Sequence, residues 1–273
     1  MNFSAANASN AFNAAVCSSL SALASCPVLK CWIVVLPAVA SDAAASVRMD
    51  PGFINEPHAL VVSGDDAQTP EIKVRTTDFA DVRARRQQAA DSKEPPPPVL
   101  SANALLVCPQ RKCLLVHRRS QASATYGGAL HLFGGAYRPP IQRGTFDSPG
   151  DRMSLEFTMV REVFEESGLI VRSRGEPVAV AHELDTGFVQ YVFLGVRITA
   201  AECERLSSNS EGNVVEIPFA QLGGRLAESA GWVPSGRAHL LAWLGLGAPG
   251  AGFHPKFGKS TPKDLFDQVV GDH

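Results

Sequence analysis

The chain has 273 residues, of which 45% are apolar and 19% charged, with a net charge of −2. That length allows one large domain or a medium domain with extensions, and the balance fits a soluble globular protein. No basic excess marks a nucleic-acid surface, and six cysteines without CxxC pairs or metal-finger spacing point to a reducing, cytoplasmic setting.

In chain order, residues 1–48 stand apart as an Ala-, Ser- and Asn-rich stretch whose only charges are Lys30, Asp42 and Arg48. The run Cys31 to Ala40 is apolar but too short to span a bilayer. Ala38-Val39-Ala40 mimics a signal-peptidase site, yet no positive charge precedes Lys30 as a leader requires. The expectation for 1–48 is disorder, or translation starting instead at Met49.

Residues 49–98 read as an extension and linker. Short strands are predicted at His58 to Ser63 and Glu71 to Thr76. A helix capped by Thr77 or Asp78 then runs to about Ala90, and Pro95 to Pro98 form a polyproline spacer. This segment is too small for its own core and should pack on the larger region C-terminal to it.

Residues 99–247 carry the main domain. Ala104 to Cys108 and Cys113 to Arg118 are apolar runs joined by a polar turn, a hairpin by spacing, and Leu130 to Phe133 is a third strand entering Gly134-Gly135. Further strands are expected at Leu169 to Arg172, Val178 to Leu184, Val189 to Ile198 and Val214 to Ile217. Helices are expected at Phe219 to Ser229 and Ser235 to Leu244. Strands interleaved with a few helices predict an α/β fold with a mixed sheet between helical layers. The tail, 248–273, is Gly- and Pro-rich with a short helix at Pro262 to Val270.

One stretch concentrates charge: Arg161-Glu162-Val163-Phe164-Glu165-Glu166-Ser167-Gly168-Leu169. On a helix advancing about 100° per residue, Glu162, Glu165 and Glu166 share one face and Arg161 sits one turn before Glu165. Met153, Phe157, Val160, Val163 and Phe164 project to the other side, so the acidic face would look into a cleft, and Gly168 stops the helix. Three adjacent carboxylates repel one another. A hard divalent cation such as Mg²⁺ or Mn²⁺ relieves that repulsion, and a fully solvated acidic face relieves it as well.

These nine residues resemble the second half of the Nudix box, Arg-Glu-aliphatic-any-Glu-Glu-any-Gly-aliphatic, at every specified position. A chance match in a chain this long is on the order of one in 10⁵. The first half departs from the pattern, with Met153 at the upstream acidic position. Gly134-Gly135 lies too far upstream, separated by an insertion, Ala136 to Asp151; Asp151 is a candidate substitute for the missing acid.

The resemblance implies a Nudix-like α/β/α sandwich with an N-terminal extension. It also implies a hydrolase that cleaves a phosphoanhydride in a nucleoside diphosphate linked to another moiety, with Mg²⁺ as cofactor and Mn²⁺ as substitute. Glu162, Glu165 and Glu166 are the implied metal ligands, Arg161 the residue that orients them, and a carbonyl of Gly134 or Gly135 a further ligand. The general base is expected at Glu211, with Glu183 as runner-up. Arg118 and Arg119 could reach phosphates, whereas His117, His131 and His182 read as structural. The partner is a nucleotide-type small molecule, with a homodimer left open and neither nucleic acid nor membrane indicated. The rival reading is a Nudix-fold binding or sensor domain with weak or no catalysis.

Overall fold

The computed structural model describes residues 32–36, 57–63, 71–123, 125–138, 155–171, 179–183 and 186–271. The strands are β1 (Trp32–Leu36), β2 (Pro57–Ser63), β3 (Glu71–Asp78), β4 (Val99–Cys108), β5 (Cys113–Arg119), β6 (Leu130–His131), β7 (Phe133–Ala136), β8 (Ala179–Glu183), β9 (Phe188–Arg197) and β10 (Gly212–Pro218). The helices are α1 (Phe79–Ser92), α2 (Leu155–Ser167), α3 (Ala200–Cys203), α4 (Leu222–Ala227), α5 (Pro234–Gly245) and α6 (Pro262–Gly271).

All ten strands join one mixed sheet. β4 is its axis. Every residue of β4 is buried, because helices cover both faces of the sheet at that strand. Leu100, Ala102, Ala104 and Leu106 face the core that holds Leu155, Met159 and Val163 of α2. Leu105 and Val107 face the opposite core with Leu226 of α4, Leu240 of α5 and Leu265 of α6. The period-two alternation thus assigns α2 to one side and α4, α5 and α6 to the other, which is the α/β layering expected.

One edge of β4 serves two partners in succession. β7 pairs with Ser101 through Ala104, and β5 pairs with Leu106 through Cys108, so the sheet forks between them. β9 runs parallel to β4 along its other edge. The fork is why the single strand expected over Leu130 to Phe133 is two: β6 stays with β5, and the chain then crosses to β4 as β7. Gly134 and Gly135 consequently sit at the opening.

The extension is tied into this sheet. β2 and β3 pair antiparallel, β1 pairs parallel with β3, and Leu60 lies opposite Val99. Within the stretch expected to be disordered, residues 1–48, Trp32–Leu36 is the described segment. Asp78 caps α1 by accepting from the Asp81 amide at 2.9 Å, as its position in the sequence predicted. The proline linker is held at its end by the Val61 amide, which donates to the Pro98 carbonyl at 2.8 Å. Leu60, Val82 and Val99 form a small core of their own beside it.

Two expectations need correction. Leu169 to Val171 is not a strand: Gly168 turns the chain at φ 71°, and the buried Leu169 and Val171 side chains fill the core without a strand ladder. Arg172, like Met153 and Asp151, lies outside the described residues. The short α3 was not anticipated, although its capping box, Thr199 with Glu202, is the standard start signal.

Candidate active site

α2 buries the stripe Leu155, Met159, Glu162, Val163 and Glu166. These positions recur at i, i+4, i+7, i+8 and i+11, the spacing of one helix face. Two of the three carboxylates therefore lie on the sheet-facing side, not opposite the apolar residues as expected. Phe164, assigned to the apolar side, is 46% exposed. Glu162 and Glu166 leave the polar face shared with Glu165 because the helix approaches the sheet at its polar fork.

At that fork the carboxylates meet β7. The Gly134 amide donates to Glu166 Oε2 at 2.9 Å. A Cβ at Gly135 would lie 2.5 Å from a Glu162 carboxylate oxygen, so only glycine lets the buried acid approach the strand this closely. At Gly134, φ is +151° and a Cβ would meet the Ala102 carbonyl at 2.3 Å. Both glycines are thus required by contact and not merely by a turn.

Arg161 is the clamp. Its guanidinium lies 2.6 Å from Glu162 Oε1 and 2.8 Å from Glu165 Oε2, and donates to the Ala136 carbonyl at 2.9 Å. Helix and strand are thereby joined through charge-assisted bonds. Arg138 adds a second guanidinium to Glu165 at 3.2 and 3.5 Å. Glu166 Oε1 lies 3.1 Å from His117 Nδ1, and that ring stacks on Phe133 with centroids 6.1 Å apart.

The electrostatics are set by burial. Desolvation pushes the Glu162 carboxyl up to about 8, outweighing the downward pull of Arg161, and the charges of Glu166 and Glu165 add to the rise. Glu166 is also raised, chiefly by burial, against the opposing bonds from His117 and Gly134; Glu211 pushes it further up. Burial therefore disfavours the charged form of both acids.

Arg161, Glu162, Glu165, Glu166, Gly134 and Gly135 are therefore together, as the motif required. Glu211 stands near: its charge is felt at Glu166, and Asn209, which accepts from the Glu211 amide at 2.9 Å, also donates to the Glu165 carbonyl. Glu183, the runner-up base, belongs elsewhere. It is buried, and its carboxylate accepts from Ser235 Oγ at 2.8 Å and from Thr186. His131 bonds to the Leu132 carbonyl and lies 3.4 Å from Ser235 Oγ, whereas His117, expected to be structural, touches Glu166 directly.

Arg138 and His117 are the residues that reading by motif missed. Neither belongs to a spaced pattern, and each reaches the site only through the fold, His117 from β5 and Arg138 from just past the end of β7. Arg119 donates to the Thr125 carbonyl at 3.1 Å, and Arg118 lies 3.5 Å from the Gly128 carbonyl. Behind the glycine pair is a cavity of about 230 Å³, lined by Arg86, Asn103, Arg119, Glu183, Phe188 and Gln190 among others. Among the described residues, no three acidic, histidine or cysteine side chains already form a metal-ligand cluster; the carboxylates hold Arg161, Arg138 and His117 instead.

No protein-family model matches the chain, and no curated protein matches it. Among solved structures the chain is similar to a MutT protein from Methanosarcina mazei Go1, at 19% identity over 63% of this chain and 93% of that one, with a TM-score of 0.39. A bifunctional NMN adenylyltransferase/ADP ribose pyrophosphatase from Francisella tularensis, solved with AMP and a Mn ion, aligns at 14% identity over 60% of this chain, with a TM-score of 0.38. The chain spans only 46% of that protein. The Nudix domain of Shewanella oneidensis NrtR, solved with ADP ribose, aligns at 17% identity over 45% of this chain and 74% of that one, with a TM-score of 0.30. The last of these bears the same family name as the motif at residues 161–169. At such scores the likeness adds no weight to the chemistry, which rests on the motif and the geometry.

Proposed function

We propose that the chain is a Mg²⁺-dependent Nudix-type hydrolase, with Mn²⁺ as substitute, that cleaves a phosphoanhydride in a nucleoside diphosphate linked to another moiety. The observation that carries this reading is the meeting of Glu162 and Glu166, one helical turn apart, with Gly134-Gly135 of β7, clamped by Arg161 through Ala136.

The donor set fits a hard cation. Its donors are carboxylate and main-chain oxygens, the types Mg²⁺ and Mn²⁺ prefer. Burial pushes Glu162 up to about 8, a cost to its charged form that a bound cation would offset. Glu162, Glu165 and Glu166 would hold the ion, with a carbonyl of Gly134 or Gly135. When bound, it would neutralise charge on the phosphates and draw water toward phosphorus. Arg161 positions the acids and touches no reacting atom. Glu211, which lies on an exposed turn and whose charge is felt at Glu166, is our choice to take the proton from the attacking water; the bonds of Glu183 to Ser235 and Thr186 favour it less for that role.

The test is a nucleotide-substrate panel with product identification, run with Mg²⁺ or Mn²⁺. Turnover that vanishes with chelator and collapses in Glu165→Gln supports the reading; no turnover on any substrate, or turnover indifferent to Glu165→Gln, removes it.

One observation favours the rival, a binding or sensor domain: each of the three carboxylates already has a basic side-chain partner, so the face is compensated without an ion. Ligand binding occurs in both readings. Metal-dependent turnover is what separates them.

A further inference from the structure

The cavity behind Gly134-Gly135 holds an arginine with an edge that no acceptor among the described residues meets. Arg86 comes from α1, in the extension. Its guanidinium carbon lies 4.7 Å above the centre of the Phe188 ring. Stacking occupies the face of the group and leaves its edges free. Nε and Nη2, which present two parallel N–H bonds along one edge, are buried and donate to no acceptor among the described residues.

Among the described residues that line it, the cavity offers one carboxylate. Glu183 attracts Arg86 through space, but its oxygens accept from Ser235 and Thr186 and not from Arg86 Nε or Nη2. Asn103 donates to Gln190 at 2.7 Å and Gln190 donates onward to Ser235 at 3.2 Å, so this wall is fixed by its own bonds. Arg119 also lines the cavity. Two guanidinium groups against one carboxylate leave the lining positive by one charge. The adjacent residue behaves differently: Arg85 pairs with Asp81 at 2.8 Å, so α1 offers a carboxylate, but not to Arg86. A guanidinium edge held out of water without a hydrogen-bond acceptor is costly.

We propose that this cavity is a second substrate subsite, and that Arg86 anchors there an oxyanion, phosphoryl or carboxylate, carried by the part of the substrate remote from the cleaved bond. Gly134 and Gly135 line the cavity and also meet the acidic helix, so β7 adjoins both. Bidentate capture by the free edge would set which moiety may be attached to the diphosphate. Burial lowers the basicity of Arg86, with Glu183 opposing, and an incoming anion would reverse that cost. The inference rests on the hydrolase reading for the word substrate, but the subsite itself does not.

The test uses the full chain in chelator, so that anions cannot bind through a metal at α2. Inorganic phosphate is the probe, titrated by calorimetry against wild type, Arg86→Gln, Arg86→Lys and Glu165→Gln. Wild type and Glu165→Gln should bind phosphate alike, while Arg86→Gln should weaken binding at least tenfold. Arg86→Lys keeps the charge without the fork and should also lose most of the affinity; it carries the test should Arg86→Gln fail to fold. On any substrate that the panel shows to be cleaved and that bears a second oxyanion, Arg86→Gln should raise KM about tenfold with kcat within a few fold. Failure of wild type to bind phosphate, or equal binding by the Arg86 variants, overturns the subsite. Phosphate binding without turnover on any nucleotide would instead leave the subsite standing and remove the hydrolase.

Discussion

Glu165 is the most accessible of the three motif carboxylates on α2, with a side chain 34% exposed. Arg161 remains bonded to Glu162 and Ala136 if Glu165 is altered, whereas the bonds from Arg138 to Glu165 are lost. In Glu165→Gln, turnover should fall by roughly 10² at fixed Mg²⁺, since one charged ligand is gone. Stability without metal should change by less than about 1 kcal/mol, as partly exposed ion pairs contribute little. Glu156 on the same helix makes no bond to the site, and Glu156→Gln should leave activity within a few fold; steady-state kinetics on both variants measures the contrast. If Glu165→Gln unfolds the chain, and metal has no effect on wild-type stability, the acidic residues are structural.

At the scale of elements, the strand that faces α2 is as exacting as the helix. Gly135 leaves no room for a methyl group beside Glu162, with 2.5 Å to the nearest carboxylate oxygen. Gly135→Ala should displace Glu162 or part β7 from α2, costing about 1–3 kcal/mol of stability as overpacking does, together with most of the activity. Denaturant unfolding and the substrate assay report the two losses separately; an alanine variant as stable and active as wild type would show that the approach of helix to strand is not required.

The helix α5 offers an independent check far from the acids. His239 is buried, neither ring nitrogen finds a partner among the described residues, and burial together with the charge of His131 lowers it from the usual 6.5 to about 3. The folded chain therefore refuses a proton that the unfolded chain accepts below about 6.5. Stability must fall as pH drops from there toward about 3, because the unfolded state binds more protons across that window. His131, lowered to about 4, acts in the same direction. His239→Leu removes one of these groups and an unmet buried N–H. Its melting temperature should match or exceed that of wild type at pH 7 and decline less steeply between pH 6 and about 4, by calorimetry across that range. A decline as steep as that of wild type would mean that His239 titrates normally in the fold.

Across the whole molecule, what the sequence made legible was local. Apolar and β-branched runs located β4, β5, β8, β9 and β10, the Asp78 cap located α1, and the charge spacing of Arg161 to Leu169 singled out the acidic helix. What it hid was tertiary. Which face of α2 meets the sheet depends on a fork in β4 that no period reveals, so Phe164 was assigned inward and Glu162 outward. His117 and Arg138 enter through strand pairing, and their own neighbours in sequence carry no pattern. Arg86 is the extreme case, a member of an ordinary charged run that becomes singular only when α1 packs beside Phe188.

That packing decides whether the extension is an appendage or part of the domain. Val82 of α1 is fully buried against Leu60 of β2 and Val99 of β4, so one small core spans the extension and the sheet. Removing two methyl groups there leaves a cavity between helix and strands that cannot easily close, and Val82→Ala should cost about 1–3 kcal/mol. Because Val99 belongs to the central strand, the loss should lower the melting temperature of a single cooperative transition for the whole chain. It should also weaken phosphate binding at Arg86, which rides on the same helix one turn later, without changing the catalytic consequences of Glu165→Gln. An extension that folded alone would instead show a separate, earlier transition in the variant, with the main transition unmoved.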